Sequence, residues 1–244
     1  MLLVATVAAG CGVADPVGPA TPKGSSAGST PASDGVPSPT AQPLSAGRLD
    51  AADLLRAALP EDEIDPAGSS EKSMVERDPR SEPKPVSDPA CLPTLDPYRG
   101  EPWTTTMVQT FHSKDRVDWT ATTTLTAHSE PAAAAAQFGR LRKSLQDCRE
   151  YRTPGPGTGT RATLSPAAPP TQGDEAVAYL LTSWTDVSDI NPDVKEVRIL
   201  QRLTVVRVGS VIAEFYPNPS HSAEAMEFPA SLITRQVERL RAPR

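Results

Sequence analysis

Three cysteines, at positions 11, 91 and 148, limit what this chain can become more than any other feature. An odd count is awkward for an exported protein, because thiols outside the membrane are oxidised in pairs. Setting Cys11 aside leaves Cys91 and Cys148, which as a disulfide close a loop of roughly sixty residues and contribute on the order of 4 kcal/mol by restricting the unfolded chain. The competing reading is two buried free thiols. A metal pair fits less well, since neither cysteine has a second ligand at Cys-x-x-Cys or histidine spacing.

Cys11 has its own context. The ten residues before it are uncharged and apolar or small, and they end in Ala8, Ala9 and Gly10. Small residues directly before a cysteine resemble the bacterial lipobox, in which that cysteine carries lipid, although Ala8 stands where Leu is usual. A signal peptide also needs a basic n-region, and none precedes Leu2, so we expect a basic piece upstream of Met1. The alternative is an apolar N-terminus holding a chance cysteine. After Cys11 the chain is almost entirely Pro, Ser, Gly, Ala and Thr as far as Gly47. Such a stretch buries too little apolar surface to offset about 1–2 kcal/mol of ordering entropy per residue, so it reads as a disordered tether. As a flexible coil it spans about 30–35 Å. No segment offers the roughly 20 consecutive apolar residues of a membrane-crossing helix. The expected organisation is therefore 1–11 as a signal-peptide fragment ending at lipidated Cys11, 12–47 as the tether and 48–244 as one domain. The expected place is the outer side of the cell membrane, held by the N-terminal lipid.

Within 48–244 the periodicity predicts a helix from Arg48 to Leu59, with Leu49, Leu54, Leu55 and Leu59 apolar and Pro60 as the stop. Glu61 to Asp88 is charged and Pro-rich and reads as an extended surface loop. Thr104 to His112 and Val117 to Ala127 alternate as two antiparallel strands, turned at Ser113 to Arg116. On the second, Trp119, Ala121, Thr123 and Leu125 share one face, and Thr120, Thr122, Thr124 and Thr126 the other. Ser129 is the expected cap of a helix running through Arg149, with Phe138, Leu141, Leu145 and Cys148 on one face, so Cys148 points at the core. Thr153 to Asp174 is rich in Gly and Pro, with at most a short strand near Thr160 to Leu164. Strands follow at Ala176 to Trp184, Glu196 to Val208 and Val211 to Tyr216, the last two joined by the hairpin signal Gly209-Ser210. A final helix buries Leu232, Ile233, Val237 and Leu240. The expected fold class is α+β, an antiparallel sheet of about five strands with helices packed on it and one disulfide.

Three of these features occur together. Gln172-Gly173-Asp174-Glu175-Ala176 opens a strand, Val205 to Ile212 forms a hairpin core around Gly209-Ser210, and an early cysteine is matched by one at a helix end. In these the stretch from Leu49 to Leu240 resembles the PknH-like extracellular sensor domains of actinobacterial lipoproteins and receptor kinases. Members related to the kinase sensor often carry two disulfides, whereas this chain has one pair to offer. The resemblance implies a non-catalytic domain with a cleft for a small ligand or a cell-wall fragment. It implies no kinase activity.

Motifs for chemistry are sparse. Gly24-Ser25-Ser26-Ala27-Gly28 matches the nucleophile-elbow pattern but lies in the tether, where no strand and helix can strain the serine. Asp189, Asn191 and Asp193 alternate as in a calcium loop, yet Val194 and Leu200 stand where Gly and Glu are required. A polar turn is the better reading. His112, His128 and His221 lack close spacing, and the first two are expected exposed near strand ends. No catalytic residue, metal ligand or cofactor motif is assigned; a wall hydrolase would need carboxylates converging from distant positions. With 24 basic and 30 acidic side chains and no basic run, nucleic acid is not an expected partner. What is left is binding. Trp119, Trp184 and Tyr179 are the aromatic candidates for a ligand site, and Arg198 and Arg202 share a strand face that could meet an anion. The bland alternative is that the aromatics are core and the arginines a solvated sheet face. A further alternative is an adaptor that docks onto another envelope protein.

Overall fold

A computed structural model describes residues 49–75, 85–95, 105–115, 119–154, 160–187, 193–194, 196–218 and 227–242. The lipobox with Cys11, the tether, Asp189, Asn191 and His221 lie outside the described residues. The order of elements is α1 (Ala51–Ala57), β1 (Ala67–Val75), α2 (Leu92–Leu95), β2 (Thr105–Ser113), β3 (Thr120–Ala127) and α3 (Pro131–Asp147). Then come β4 (Glu150–Thr153), β5 (Thr160–Ala167), β6 (Glu175–Asp186), β7 (Glu196–Val208), β8 (Val211–Pro217) and α4 (Ala230–Arg241). The strands form one 8-stranded sheet in the order β1-β2-β3-β8-β7-β6-β5-β4. Every neighbouring pair is antiparallel.

The α+β class and the antiparallel sheet match expectation, but eight strands replace about five. The additions explain themselves. β1 sits at an edge and reads Ala-Gly-Ser-Ser-Glu-Lys-Ser-Met-Val, with Ala67 as its one buried residue, so it lacks the alternation that marks a half-buried strand. β4 is the other edge and only 4 residues long. β5 runs to Ala167 through Pro166, which is tolerated next to an edge because it removes a single ladder donor.

Side chains alternate across the sheet, and each face is covered by its own helices. On one face α1 and α4 pack Leu54, Leu232, Ile233 and Val237 against Met107, Phe111, Leu125, Val206, Ala213 and Phe215. Phe228 meets Phe111 and Phe215 edge-on, with ring centroids 5.7 and 5.2 Å apart. On the other face α3 packs Ala134, Phe138 and Leu141 against Tyr151, Ala162, Leu164, Tyr179, Val205 and Ile212. Helix boundaries follow local chemistry. Asp50 and Asp53 form a reciprocal capping box at α1, and Leu55 is exposed rather than buried. α3 begins at Pro131 with Glu130, not Ser129, as the N-cap. Proline at the first helical position has no amide to donate, so the residue before it becomes the cap.

Two threonine environments show how the sheet spends its polar groups. Thr122, Thr124 and Thr126, expected on a polar face, are buried on the α3 side. Their hydroxyls stand beside those of other residues, at 3.3 Å for Thr126 with Thr106 and for Thr124 with Tyr216. The Asn218 amide donates to Thr120 at 2.9 Å and Thr122 at 3.3 Å. Thr123 points to the opposite face, and its hydroxyl is buried with no hydrogen-bond partner among the described residues.

The motif at the start of β6 also has a structural reading. Gly173 has a φ of +91°, and a Cβ there would collide with Val206, so only glycine fits. Asp174 accepts from the Gly209 amide at 2.7 Å, and Glu175 pairs with Arg207 at 2.6 Å. The motif braces the β7–β8 hairpin.

Gln109 locks α1 to the sheet, accepting from the Leu59 amide at 3.1 Å and donating to the Leu59 carbonyl at 2.8 Å. Gln109→Leu leaves both buried groups orphaned and should cost about 2–6 kcal/mol, given about 1–3 kcal/mol for each unsatisfied group. Thr123→Val removes an unpartnered hydroxyl and should be neutral or stabilising. Urea denaturation of the two variants against the parent measures this contrast, and equal losses would contradict the account of Gln109.

Candidate ligand-binding cleft

The two faces of the sheet are not covered alike. On the α3 side the helix and the short α2 leave a cleft of about 360 Å³ over β6, β7 and β8. Its floor is Tyr179 of β6, Gln201 and Leu203 of β7, and Glu214 and Tyr216 of β8, with Thr94, Leu95 and Leu141 as the wall and Asn218 at the end. Alternation explains the floor. Positions 201, 203 and 205 of β7 and 214 and 216 of β8 share the face that packs on α3.

The wall is fixed by a covalent bond. Cys91 and Cys148 are linked, with Cα atoms 5.0 Å apart at a sequence separation of 57. Cys148 is the C-cap of α3, its amide bonded to the Ser144 carbonyl at 2.7 Å. On the other strand of the bridge, Asp88 caps the turn at Pro89–Cys91 that leads into α2. The Ser144 hydroxyl donates to the Ala90 carbonyl at 2.6 Å, and Thr94 to Cys91 at 2.7 Å. The bridge therefore holds α2 against the end of α3 and sets one side of the cleft.

The phenols at and near the floor do not titrate near neutrality. Burial pushes the Tyr179 phenol far above its ordinary 10.0, and the charges of Glu214 and Tyr151 add to this. Tyr216 is raised by burial, held back by its hydrogen bond with Thr124 and raised again by Glu214. Tyr151, beneath α3, is pushed up to about 12 by burial. All three are neutral phenols at physiological pH, able to donate and accept hydrogen bonds. Gln201 is already oriented by donation to the Pro217 carbonyl at 2.7 Å. Such a surface can bind and orient a polar ligand over an apolar base of Leu95, Leu141 and Leu203.

Of the five ligand-site candidates, Tyr179 alone lies in the cleft. Trp184 follows it by an odd number of residues, so it faces the opposite side of the sheet, where it stands beside Arg198. Arg202 shares that opposite face but is occupied, pairing with Glu227 at 3.0 Å and donating to the Ala168 carbonyl at 2.7 Å. Trp119 is half-buried against the α1/α4 core. The five do not converge. Glu214, Gln201 and Tyr216 were missed because a polar residue on a strand reads the same whether its face is a cleft or bulk solvent; Tyr216, an aromatic beside two polar floor positions, was the available signal.

The histidines also change place. His128, expected exposed, is buried directly after β3, with its amide donating to the Ser210 carbonyl at 2.9 Å. It sits on the β3–β8 contact rather than at a free strand end. His112 is half-buried within β2. Among the described residues no group of three or more His, Cys, Asp or Glu is placed to hold a metal ion.

Raised phenol values carry a sign. Below pH 10 the tyrosines are neutral in both folded and unfolded chains and stability does not depend on them. Above it the unfolded chain loses phenolic protons first, so stability falls as pH rises from 10 through the folded values. We expect phenolate absorbance and loss of structure to rise together above pH 10; free titration of Tyr151 at pH 10 in the folded protein would contradict its burial.

Comparison with known proteins agrees with this architecture. The family model described as PknH-like extracellular domain matches residues 49–214. The crystal structure of the extracellular domain of PknH from Mycobacterium tuberculosis is similar in fold, with a TM-score of 0.53 at 11% identity over 80% of this chain and 98% of that one. An uncharacterised protein from Mycobacterium smegmatis aligns with a TM-score of 0.37 at 13% identity, over 71% of this chain and 90% of that one. No curated protein matches the sequence.

Proposed function

Because the chain belongs to the PknH-like extracellular domain family, we propose that it is a membrane-anchored envelope lipoprotein whose domain is a non-catalytic sensor, receiving a small ligand or cell-wall fragment in the cleft on the α3 side. The observation that carries this reading is the cleft itself, with neutral phenols and the Glu214 carboxylate on its floor and an apolar wall fixed by a disulfide. Proteins bind small molecules in concave sites of this kind, largely preformed and mostly apolar with a few placed polar groups. The disulfide supports residence in an oxidising compartment. Lipidation of Cys11 rests on the lipobox resemblance, and among the described residues no helix is long and apolar enough to cross a membrane.

Two measurements test the reading. A thermal-shift screen of the full chain against muropeptides, lipids and small metabolites should yield a stabilising ligand, and Leu203→Arg, which fills the cleft floor, should abolish that shift. No stabilising compound, or a shift indifferent to Leu203→Arg, removes the cleft from the proposal. In cells, Cys11→Ser should move the protein from the membrane to the soluble fraction; an unchanged membrane fraction refutes the anchor.

One observation favours a second reading. β1 ends the sheet, so its outer edge offers unpaired backbone groups among the described residues, and a partner envelope protein could add a strand there. Cross-linking through a cysteine placed at exposed Ser73 would capture such a partner.

A further inference from the structure

The sheet face that carries α1 and α4 is left without a described helix over β4, β5 and the start of β7, and there one row of side chains crosses four strands. Arg152 of β4 stands opposite Arg161 of β5, Arg161 opposite Trp184 of β6, and Trp184 opposite Arg198 of β7. All four point the same way, because 198 lies an even number of residues from Val206, which is buried under α1 and α4. Arg152 and Arg198 are exposed, and Arg161 and Trp184 half-buried.

Three properties set this row apart. First, the described arginines elsewhere mostly have carboxylate partners, as do Arg56, Arg142, Arg207 and Arg239. Arg152, Arg161 and Arg198 have none among the described residues, in a chain of net charge −6. Second, Arg152 and Arg161 are like charges directly opposite each other on adjacent strands, an arrangement that costs stability unless an anion sits between them. Third, the Arg161 guanidinium lies over the Trp184 ring, 4.2 Å from its centroid. Stacking fixes the plane of the guanidinium and leaves its N–H edges free for a bidentate contact with an oxyanion.

We propose that this row binds a linear, phosphate-bearing polymer, lying across the strands on the face opposite the cleft. Neighbouring strands are about 4.8 Å apart, so the row presents its positive groups over roughly 14 Å in a straight line. A linear polyphosphate repeats its charge at intervals shorter than the strand spacing, so each arginine finds an oxygen without strict register. Arginine's fork matches phosphate oxygens two at a time. The row is one residue wide. Glu150 flanks it along β4, and the exposed pair Asp186 and Glu196 flanks it along β6 and β7. A flat anionic membrane would press those carboxylates against headgroups, whereas a single polymer strand passes between them. Trp184 is a positioning residue here, acting through Arg161.

The test uses the full chain carrying Cys11→Ser, which keeps it in solution, with linear polyphosphate as the probe. The parent should bind, with affinity falling as salt rises. The triple variant Arg152→Gln, Arg161→Gln, Arg198→Gln should lose at least tenfold in affinity while melting no lower than the parent, because a like-charge pair has gone. Trp184→Leu should lose severalfold although no charge changes, and Arg142→Gln, on the other face, should bind as the parent does. Absence of parental binding, or equal binding by the triple variant, overturns the proposal. So does binding of phosphatidylglycerol vesicles, but not polyphosphate, lost in the triple variant, because the row would then be a membrane contact. The thermal shift given by a cleft ligand should be the same in the triple variant, which separates failure here from failure of the cleft.

Discussion

Between Ala127 opposite Val211 and Ala121 opposite Pro217, the backbone ladder of β3 and β8 joins two parts of the chain that are otherwise consecutive hairpins. β1 to β3 form one run and β4 to β8 the other, and α3 crosses between them. Everything buried is arranged about this seam. Leu125 and Ala213 meet beneath α1 and α4, and Thr124 and Tyr216 meet on the other side at the cleft. The seam is extended past the sheet by Asn218, whose amide returns a bond to the Thr120 carbonyl at 3.0 Å and reaches Thr122 with its side chain. Non-local pairing of this kind must be held by good side-chain complementarity, since the entropy of closing so long a loop precedes any reward.

A sheet this wide cannot be covered by short helices on both faces throughout. α1 and α4 lie over β2, β3, β8 and the end of β7, while α3 lies over β5 to β8. The cleft forms where α3 and α2 stop short of covering β7 and β8, and the arginine row stands where α1 and α4 do not reach. Two open surfaces on opposite faces therefore follow from the same offset between helical layers. Their chemistry differs: one is apolar and phenolic with a carboxylate, the other cationic and flat.

Much of this was readable from residue type and spacing. The Cys91–Cys148 bridge followed from parity of the cysteines and from Cys148 lying on the core face of a helix. β2 and β3 showed alternation, β7 and β8 were marked by the Gly209-Ser210 hairpin signal, and the α4 stripe of Leu232, Ile233 and Val237 is buried as its spacing predicts. β1 was illegible because an edge strand with Ser69 to Ser73 on it needs no apolar alternation to be paired. The site was legible only in part. Tyr179 and Trp184 could have been assigned to opposite faces from their spacing alone. Arg161, within the short strand expected near Thr160 to Leu164, could not be joined to Trp184, since a register between strands is a tertiary fact. The β3 threonines were misjudged because polarity marks an exposed face only when nothing polar lies across from it, and here Tyr216 and Asn218 do; His128 was misjudged because its backbone amide pairs with Ser210 at the β3–β8 contact.

The disulfide has a consequence for cleavage. The loop it closes contains α2, β2, β3 and all of α3, so a single cut anywhere inside it leaves the two fragments joined through sulfur. A cut between Leu59 and Cys91, or beyond Cys148, has no such bond to hold it. Under oxidising conditions a protease nick on the bridge's inner side is thus silent to the connection between the N-terminal part and the cleft, and the same nick becomes a separation once the bond is reduced. The linkage sorts possible cuts into those that sever the cleft from the N-terminal part of the chain and those that do not.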